Sequence, residues 1–324
     1  MKKVAIIGAG WVGCHLALKL RDHHEVTVFD LSPFEGASLL NQNRLHMGYH
    51  YARNHPTREL CQNTFEAFMR DYGFLTEPVE NNLYAVPIEE SLMDARTIEA
   101  IFPPLSWPHQ SIDVHYLKNT ETVWRTPERY ISPLKTKHFM IDQLSTLLCP
   151  DRIDSSHLPA LQQDYSLIID CTNNNLLRPA ANEYFEAVAM FIYEPVSPLP
   201  FGALTYIDGP LFSLYPFHDG TISLSHVVHS VIRSSPTPIA LHDIVVSDDT
   251  RYAAEQHVAM YWPAFSEYLR FSKTIVSMKS KRVNASAYRA PLFKQKENVL
   301  SCFTGKIQGI YLIEDKVKEV LSGL

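Results

Sequence analysis

The chain has 324 residues, of which 46% are hydrophobic, and its formal net charge at pH 7 is −6. This length exceeds what one hydrophobic core usually serves, so we expect two lobes. No run of Lys or Arg is dense enough for a phosphate-binding stripe, which argues against nucleic acid as a partner. The five cysteines form no C-x-x-C pair and the apolar N-terminal stretch is too short to span a bilayer, so we expect a reduced, cytoplasmic protein without a metal.

The first thirty residues carry a pattern that is typical of dinucleotide-binding folds. A buried strand over residues 4–7 leads into the turn Gly8-Ala-Gly-Trp-Val-Gly13, and a helix follows over residues 11–21. A second strand then ends at Asp30. An acidic residue about 20 positions after such a turn is the usual partner of a ribose, so the sequence predicts a dinucleotide site here.

Each residue of this pattern has a physical role. Gly8 permits a tight turn, Gly10 lets the backbone approach a pyrophosphate, and Gly13 lets the helix pack against the strand. The N-terminus of the helix, at Trp11 and Val12, offers N–H groups and a positive dipole end to phosphates. The carboxylate of Asp30 would accept hydrogen bonds from ribose hydroxyls, and its charge argues against a 2′-phosphate.

The centre of the chain alternates between regular and irregular segments. A long connection over residues 31–53 has no helical or strand period, and loops of this length are usually functional. A helix is predicted over residues 56–72, ended by glycine. Residues 81–134 are rich in proline and irregular, and they are followed by an amphipathic stretch over 135–148 and an apolar strand over 166–171.

The second half predicts an antiparallel region and then a return to the first lobe. Residues 187–228 alternate in polarity, most clearly in a hairpin joined near Asp219-Gly220. A helix over 250–260 and a strand over 274–278 follow. The C-terminal segment carries Gly305-Lys306-Ile307 and then apolar residues at helical spacing, from Ile310 to Val320.

Four segments together resemble the FAD-dependent oxidoreductases of the D-amino-acid oxidase superfamily. They are the N-terminal pattern, residues 36–51, the strand over 165–172, and Gly305-Lys306-Ile307. The His-x-Gly-x-x-Tyr arrangement at 46–51 is most similar to the branch that contains L-2-hydroxyglutarate dehydrogenase. The resemblance implies an α/β fold in which a Rossmann-like FAD-binding domain carries an inserted substrate domain with a mixed or antiparallel sheet. The expected FAD-binding domain comprises residues 1–80, 135–180 and 290–324, and the expected substrate domain comprises 81–134 and 181–289.

The resemblance also implies which residues contact the cofactor. Asp30 would bind the adenosine ribose, Ser38 the pyrophosphate, and Gly305, Lys306 and Ile307 the pyrimidine edge of the flavin. An amide or cation at that edge stabilises a reduced, anionic flavin. The full set of expected FAD-binding residues is Gly8, Gly10, Trp11, Val12, Gly13, Asp30, Ser38, Asn43, Arg44, Leu45, Cys171, Thr172, Gly305, Lys306 and Ile307.

Residues 36–53 also include the side-chain types that bind a hydroxy or amino acid and remove its proton during oxidation. Guanidinium groups bind carboxylates, tyrosine hydroxyls add contacts, and a histidine can remove a proton from a hydroxyl or ammonium group. We expect His46 beside the flavin as the base or as the residue that orders the ring, with substrate contacts from Tyr49, Tyr51 and Arg289. Alternatives stay open: covalent attachment of flavin to His46, an ordinary loop role for the histidines, a metal ligand, packing roles for the tyrosines, and a surface salt bridge for Arg289.

Two residues of the predicted hairpin, Tyr215 and His226, would line the substrate pocket if their faces point to the flavin, or pack as ordinary neighbours if they do not.

The sequence as a whole predicts an FAD-dependent oxidoreductase that oxidises a small carboxylate-bearing substrate by hydride transfer to flavin. One alternative is an NAD(P)-dependent dehydrogenase, which shares only the first motif. Another is a non-catalytic flavin-binding protein whose inserted lobe binds a partner. A small molecule is the expected partner, with neither nucleic acid nor a membrane span.

Overall fold

The computed structural model describes residues 1–177, 182–283 and 288–324. These residues form eight α-helices: α1 (Trp11–Leu20), α2 (His55–Tyr72), α3 (Ala95–Ile101), α4 (Pro133–Leu144), α5 (Leu158–Asp164), α6 (Asp248–Tyr261), α7 (Phe265–Tyr268) and α8 (Ile310–Gly323). None of these helices is both long and apolar enough to cross a membrane. The domain boundary expected between residues 180 and 181 lies outside the described residues.

The strands of the described residues are β1 (Lys3–Ile7), β2 (Glu25–Phe29), β3 (Arg44–Leu45), β4 (Thr76–Pro78), β5 (Asn82–Pro87), β6 (Gln110–Ser111), β7 (Thr120–Arg125), β8 (Arg129–Ile131), β9 (Leu148–Cys149), β10 (Leu167–Asp170), β11 (Glu183–Pro195), β12 (Ala203–Tyr206), β13 (Phe212–Pro216), β14 (Ile222–His226), β15 (Val231–Ser235), β16 (Leu269–Arg282), β17 (Leu292–Lys296) and β18 (Val299–Phe303). They are distributed over three sheets. The mixed α/β architecture agrees with the predicted fold class.

The first sheet gathers strands from both ends of the chain. Its order is β17-β18-β10-β1-β2-β9, and all pairs are parallel except the edge pair β17–β18. The central strand β1 is almost fully buried from Val4 to Ile7, as expected when both faces of a parallel sheet are covered. The carboxyl ends of β1 and β10 therefore meet at one edge, where the glycine turn begins.

A buried hydrogen-bonded group joins the helices from the two chain ends. On α1, the ring of His15 contacts Tyr72 of α2 through Nδ1 (2.7 Å to the hydroxyl) and Glu314 of α8 through Nε2 (2.8 Å to Oε2). Burial lowers the pKa of His15, although its contact with Glu314 opposes the shift. The hydrogen bond from His15 holds the pKa of Glu314 at about 2.

The second sheet, with nine strands, forms the other lobe. Its main path is β15-β11-β14-β13-β12-β5-β7-β6, and β16 pairs with the long strand β11. Its strands come from residues 82–125 and 183–282. The strand predicted over 274–278 is in fact much longer, Leu269–Arg282, because its backbone is paired with β11 along its whole length. The prediction was too short because polar residues such as Lys273 and Lys279 interrupt the apolar pattern.

The third sheet is small and positions the candidate site. It has the order β3-β8-β4, with Arg44 opposite Tyr130 and Leu45 opposite Arg129. Within the 31–53 connection, which we predicted to be irregular, β3 is thus a short strand. The amphipathic stretch predicted over 135–148 also differs from the structure: α4 ends at Leu144, and Leu148–Cys149 forms the parallel edge strand β9.

Candidate functional site

A cavity of about 570 Å³ lies between the parallel sheet and the nine-stranded sheet. At one place it is lined by Gly10 and Val12 at the N-terminus of α1, and elsewhere by His46, Tyr51 and Lys306. The glycine turn and the 36–51 segment therefore open into the same space. A long cavity of this kind suits an extended ligand with a phosphate group at α1.

The glycine turn has the close contacts that the sequence predicts. Gly8 has a φ of 100°, a conformation that favours glycine. A Cβ at Gly13 would lie 1.9 Å from the carbonyl oxygen of Gly8, and one at Gly10 would lie 2.9 Å from Oγ of Ser38. The N–H of Trp11 donates to Ser38 Oγ (3.0 Å), so the two segments expected at the pyrophosphate are in direct contact.

Asp30 stands at the end of β2 and orders the turn through its own hydrogen bonds. Its Oδ2 accepts from the N–H of Ala9 (2.6 Å) and its Oδ1 from the N–H of Ser32 (2.8 Å). A carboxylate oxygen has a second lone pair, so these contacts leave acceptor capacity for a ribose hydroxyl. The ribose role of Asp30 stays a prediction.

Gly48 adopts a backbone conformation that favours glycine, and it packs closely against α2. It has a φ of 108°, and a Cβ would lie 3.1 Å from both Cα and the carbonyl oxygen of Arg58 on α2. The glycine thus lets the 46–51 segment pack against α2, which fixes where the side chain of His46 lies.

Glu128, between β7 and β8, connects most of the polar groups at this end of the cavity. Its side chain is buried, with Oε1 accepting from the N–H of Met47 (2.7 Å) and Oε2 from the hydroxyl of Tyr84 (2.5 Å). Nδ1 of His46 lies 3.5 Å from Oε1. Burial alone would raise the pKa of Glu128, but the charges of His46 and Arg44 and the hydrogen bond from Tyr84 hold it below its ordinary value. Glu128 is therefore ionised at neutral pH.

His46 is neutral at physiological pH in this setting. Burial lowers the pKa of its ring to about 4, and the positive charge of Lys306 adds to the effect while Glu128 opposes it. Nδ1 is the ring nitrogen beside the Glu128 carboxylate, although it makes no hydrogen bond to it; a proton on Nδ1 would leave Nε2 as the basic nitrogen. Burial also lowers the pKa of Lys306 to about 7, and its ammonium lies 4.5 Å from the ring centre of Tyr51.

Arg44 lines the cavity but its guanidinium is engaged by the nine-stranded sheet, and Tyr49 does not line the cavity. The guanidinium of Arg44 lies 4.0 Å from the ring centre of Tyr215 and donates from Nη1 to Thr205 (2.8 Å) and Tyr84 (3.0 Å). It braces the 36–51 segment against the nine-stranded sheet. The Tyr49 hydroxyl donates to the carbonyl of Pro108 (2.7 Å), and its ring packs in the core. A substrate role for Tyr49 has no support, because its ring does not line the cavity.

Arg289 does reach the cavity wall. Its N–H donates to Oγ1 of Thr57 (3.0 Å), and its side chain lies against Gly305, where a Cβ would come within 2.8 Å of Arg289 Cδ. The missing side chain at Gly305 makes room for it. Gln308 donates to the carbonyl of His46 and to that of Cys61 (3.1 Å), so the C-terminal segment is fastened to the His46 segment.

The remaining expected cofactor residues fall into two groups. Those that line the cavity are Trp11, Asn43, Cys171 and Ile307. Leu45 and Thr172 lie behind the wall: Leu45 is fully buried, and the Thr172 hydroxyl accepts from the N–H groups of residues 175 and 176. Of the hairpin residues, His226 reaches the cavity wall and Tyr215 packs beneath Arg44.

The sequence interpretation missed Glu128, Lys279 and Asp208. Glu128 lies in the segment Thr126-Pro-Glu-Arg-Tyr130, which carries no motif, and its role depends on contacts with residues more than forty positions away. Lys279 lies on the part of β16 that faces the cavity. Only the alternation of polarity along β16 could have indicated it.

Two features of the structure itself show that the residues of this site fit FAD. The N-terminus of α1 has neither a side-chain cap nor an acidic residue in its first turn, so its N–H groups remain suited to a phosphate. The indole Nε1 of Trp11 and Nδ1 of His50 are buried without a partner beside the cavity. Among the described residues, no group of three or more His, Cys, Asp or Glu has the geometry to hold a metal ion.

Comparison with known proteins agrees with this fit. Residues 3–106 match the family model for FAD dependent oxidoreductases (DAO). The chain is 29% identical to the FAD-dependent monooxygenase FPY4 of Fusarium mangiferae, over 98% of this chain and 90% of that protein. It is 22% identical to the FAD-dependent monooxygenase kojA of Aspergillus flavus, over 99% and 86%.

Solved structures with this fold include glycine oxidase from Geobacillus kaustophilus, with a TM-score of 0.73 and 12% identity over 99% of this chain and 95% of that one. L-α-glycerophosphate oxidase from Mycoplasma pneumoniae, solved with FAD bound, has a TM-score of 0.72 and 11% identity over the same shares. The predictions of an enzyme, of FAD and of a D-amino-acid-oxidase-type fold are thereby confirmed. The alternatives of an NAD(P)-dependent dehydrogenase and of a non-catalytic protein are not supported.

Proposed function

Since the chain is an FAD-dependent oxidoreductase with the fold of the D-amino-acid oxidase superfamily, we propose that it dehydrogenates a small substrate bearing a carboxylate next to the reacting carbon. The observation that carries the proposal is the neutral His46 held against ionised Glu128 at the cavity wall. A neutral imidazole oriented by a carboxylate is suited to remove a proton from a hydroxyl or ammonium group.

The charges around the cavity support an anionic substrate. The whole chain is acidic, with a net charge of −6, yet Lys279, Arg289 and Lys306 all line the cavity. Among the described lining residues, Asp208 alone carries a carboxylate, and it is paired with Arg53. A cavity dominated by one sign of charge raises the local concentration of ligands of the opposite sign.

The residues divide the work as follows. FAD supplies the two-electron acceptor when it is bound. We assign proton removal to Nε2 of His46 and carboxylate binding to Arg289, whose planar guanidinium can make two parallel hydrogen bonds. Lys306 places a positive charge beside Tyr51 and near His46, where it would stabilise the negative charge left on a substrate hydroxyl oxygen when its proton is removed. The Glu128 carboxylate, 3.5 Å from Nδ1 of His46, favours the tautomer that carries its proton on Nδ1.

The identity of the substrate is a finer proposal. The arrangement at residues 46–51 resembles the L-2-hydroxyglutarate dehydrogenase branch, so 2-hydroxy acids are the first class to test, followed by amino acids. A panel of both, mixed with the oxidised protein without oxygen, reports reduction by loss of flavin absorbance. No bleaching with any member of the panel would overturn the proposal.

The role of His46 is tested by replacing it. His46→Ala should slow flavin reduction about a hundredfold, the scale for loss of a general base, without loss of bound FAD. In the wild type the rate should fall as pH drops through about 4, because His46 then becomes protonated. His115→Ala is the matched control, since the His115 side chain is 90% exposed. Acid precipitation with retained colour would instead support the covalent alternative for His46.

Oxygen insertion is a second candidate function, and the names of the two sequence relatives favour it. Under a monooxygenase reaction, product formed under ¹⁸O₂ carries the label. Under simple dehydrogenation the product carries no label from oxygen gas. Mass spectrometry of the product therefore separates the two reactions.

A further inference from the structure

The wall of the cavity contains an irregularity in the nine-stranded sheet. Strands β14 and β15 both run along the same edge of β11, with Leu224 opposite Phe191 and Val231 opposite Val188. Only Ala189 and Met190 therefore lie opposite the whole stretch 225–230. The surplus residues bulge out of the ladder, and bulges of this kind redirect side chains beside active sites.

The side chain of His226 holds this bulge. Its Nδ1 accepts from the N–H groups of Val228 and His229, both at 3.1 Å. Its own backbone N–H donates to Oγ of Ser230 (2.9 Å), and the N–H of Ser230 donates back to its carbonyl (3.1 Å). Two amide hydrogens on Nδ1 mean that this nitrogen carries no proton, so the proton of the neutral ring is on Nε2.

A second set of contacts fixes the ring from the other side. His226 Nε2 lies 2.6 Å from Nδ1 of His257 on α6, and His257 Nε2 lies 2.7 Å from Oε2 of Glu90. Tyr261 also donates to Glu90 (2.6 Å). The proton positions agree along the whole series: His226 donates to His257, which donates to the Glu90 carboxylate. The ring of His229 also faces His226, at 4.4 Å between ring centres.

The bulge provides an apolar part of the cavity wall. Val227, Ser230 and Val231 all line the cavity, next to Val188 and Met190 of β11. Val227 is 54% exposed, so its apolar side chain is presented here rather than buried. The cations Lys279 and Arg289 contribute other parts of the wall.

We propose that His226 is a positioning residue: it holds the 227–230 bulge against the cavity, where the bulge binds an apolar group of the substrate. This rests on the proposed function for the identity of the site, but the contacts of His226 do not depend on it. The proposal extends the substrate class to a carboxylate-bearing molecule with an apolar portion beyond its reacting carbon.

Two substitutions of His226 test the roles of its two ring nitrogens separately. In His226→Asn, Oδ1 takes the place of Nδ1 and can still accept from residues 228 and 229. In His226→Gln, the amide reaches His257 but leaves those two N–H groups without an acceptor. Hydrogen exchange of the peptide covering 226–231, measured on the FAD-loaded protein, should be about tenfold faster in the Gln variant, the factor for loss of one ordinary hydrogen bond. The Asn variant should retain the protection of the wild type.

Substrate kinetics provide the second readout. With a substrate that has an apolar side group, the Gln variant should raise KM about tenfold while kcat stays close to wild type, and Asn should restore KM. Unchanged exchange in His226→Gln would show that the ring does not hold the bulge. Faster exchange with unchanged KM would show that the bulge does not bind substrate.

The test remains available if the Gln variant does not fold. His257→Phe removes the partner of Nε2 and leaves Nδ1 in place, so exchange at 226–231 should quicken by a smaller factor, and unchanged exchange would overturn the proposal. Failure of the wild type to reduce its flavin with any carboxylate is a different outcome. It removes the proposed function, whereas the exchange measurement still decides whether His226 positions the bulge.

Discussion

Replacing Glu128 by Gln tests the reasoning about the site most directly, because the change keeps the shape of the side chain and removes its charge. Glu128 accepts from Met47 and Tyr84 and faces Nδ1 of His46. The amide of Gln can keep one of these acceptor contacts. Its NH₂ group cannot accept a hydrogen bond, so either the Tyr84 hydroxyl or the His46 ring must change its role.

The size of the effect follows from burial. Breaking a buried ion pair by removing one partner costs about 3–5 kcal/mol. Here the positive charge of Arg44 reaches Glu128 through the Tyr84 hydroxyl rather than by direct contact, so we expect a smaller loss, about 2 kcal/mol. For flavin reduction we expect a fall of about a hundredfold, since His46 loses the group that fixes its tautomer.

Three measurements decide the outcome for Glu128→Gln. Stopped-flow absorbance gives the reduction rate, a substrate titration gives the dissociation constant, and thermal unfolding gives the stability. Glu121→Gln is the matched control, because Glu121 is exposed on β7. A reduction rate equal to that of the wild type at every pH would refute the role assigned to the Glu128–His46 pair.

Three other substitutions test separate parts of the structure. Gly13→Ala should lower FAD occupancy at least about tenfold, because its Cβ would lie 1.9 Å from a carbonyl oxygen of the glycine turn. Gly323→Ala is the control and should bind FAD normally, because a Cβ there meets no atom within 4 Å. If Gly13→Ala binds as much FAD as Gly323→Ala, the tight-turn argument is wrong. In the wild type, reduction should slow as pH rises through about 7, where the Lys306 ammonium loses its proton. Lys306→Arg should abolish that slowing because a guanidinium stays charged; a pH series of reduction rates checks this. Glu314→Gln should lower stability at pH 7 by about 1–2 kcal/mol. Because the pKa of Glu314 is lowered to about 2, the deficit should shrink as pH falls from about 4.5 toward 2, whereas Asp315→Asn should melt like the wild type throughout.

The nucleotide end of the site could be predicted because its determinants are local. Gly8, Gly13 and Asp30 lie within one strand–turn–helix–strand unit, and the contacts that need them are made inside it or with the adjoining strand. The uninterrupted apolar run over residues 166–171 also predicted a central strand of a parallel sheet, and β10 is paired in parallel on both sides. Strand β16 was underestimated because pairing with β11 outweighs its polar composition.

The catalytic end could not be predicted in the same way, because burial and distant partners decide what each side chain does. The 36–51 segment contains several groups able to bind a carboxylate or move a proton, and their sequence spacing does not rank them. In the fold, the Arg44 guanidinium donates to the Tyr84 hydroxyl and stacks on the Tyr215 ring. The Tyr49 hydroxyl donates to the carbonyl of Pro108.

The orientation of the His46 ring and its neutral state both depend on residues outside its own segment. The carboxylate that orients it, Glu128, comes from residues outside the segment, and the burial that lowers its pKa comes from packing between the two lobes. A histidine with the same neighbours in sequence but exposed to water would titrate near its ordinary value and would have no fixed tautomer. The chemistry of residue 46 is therefore a property of the assembled site rather than of the motif that contains it.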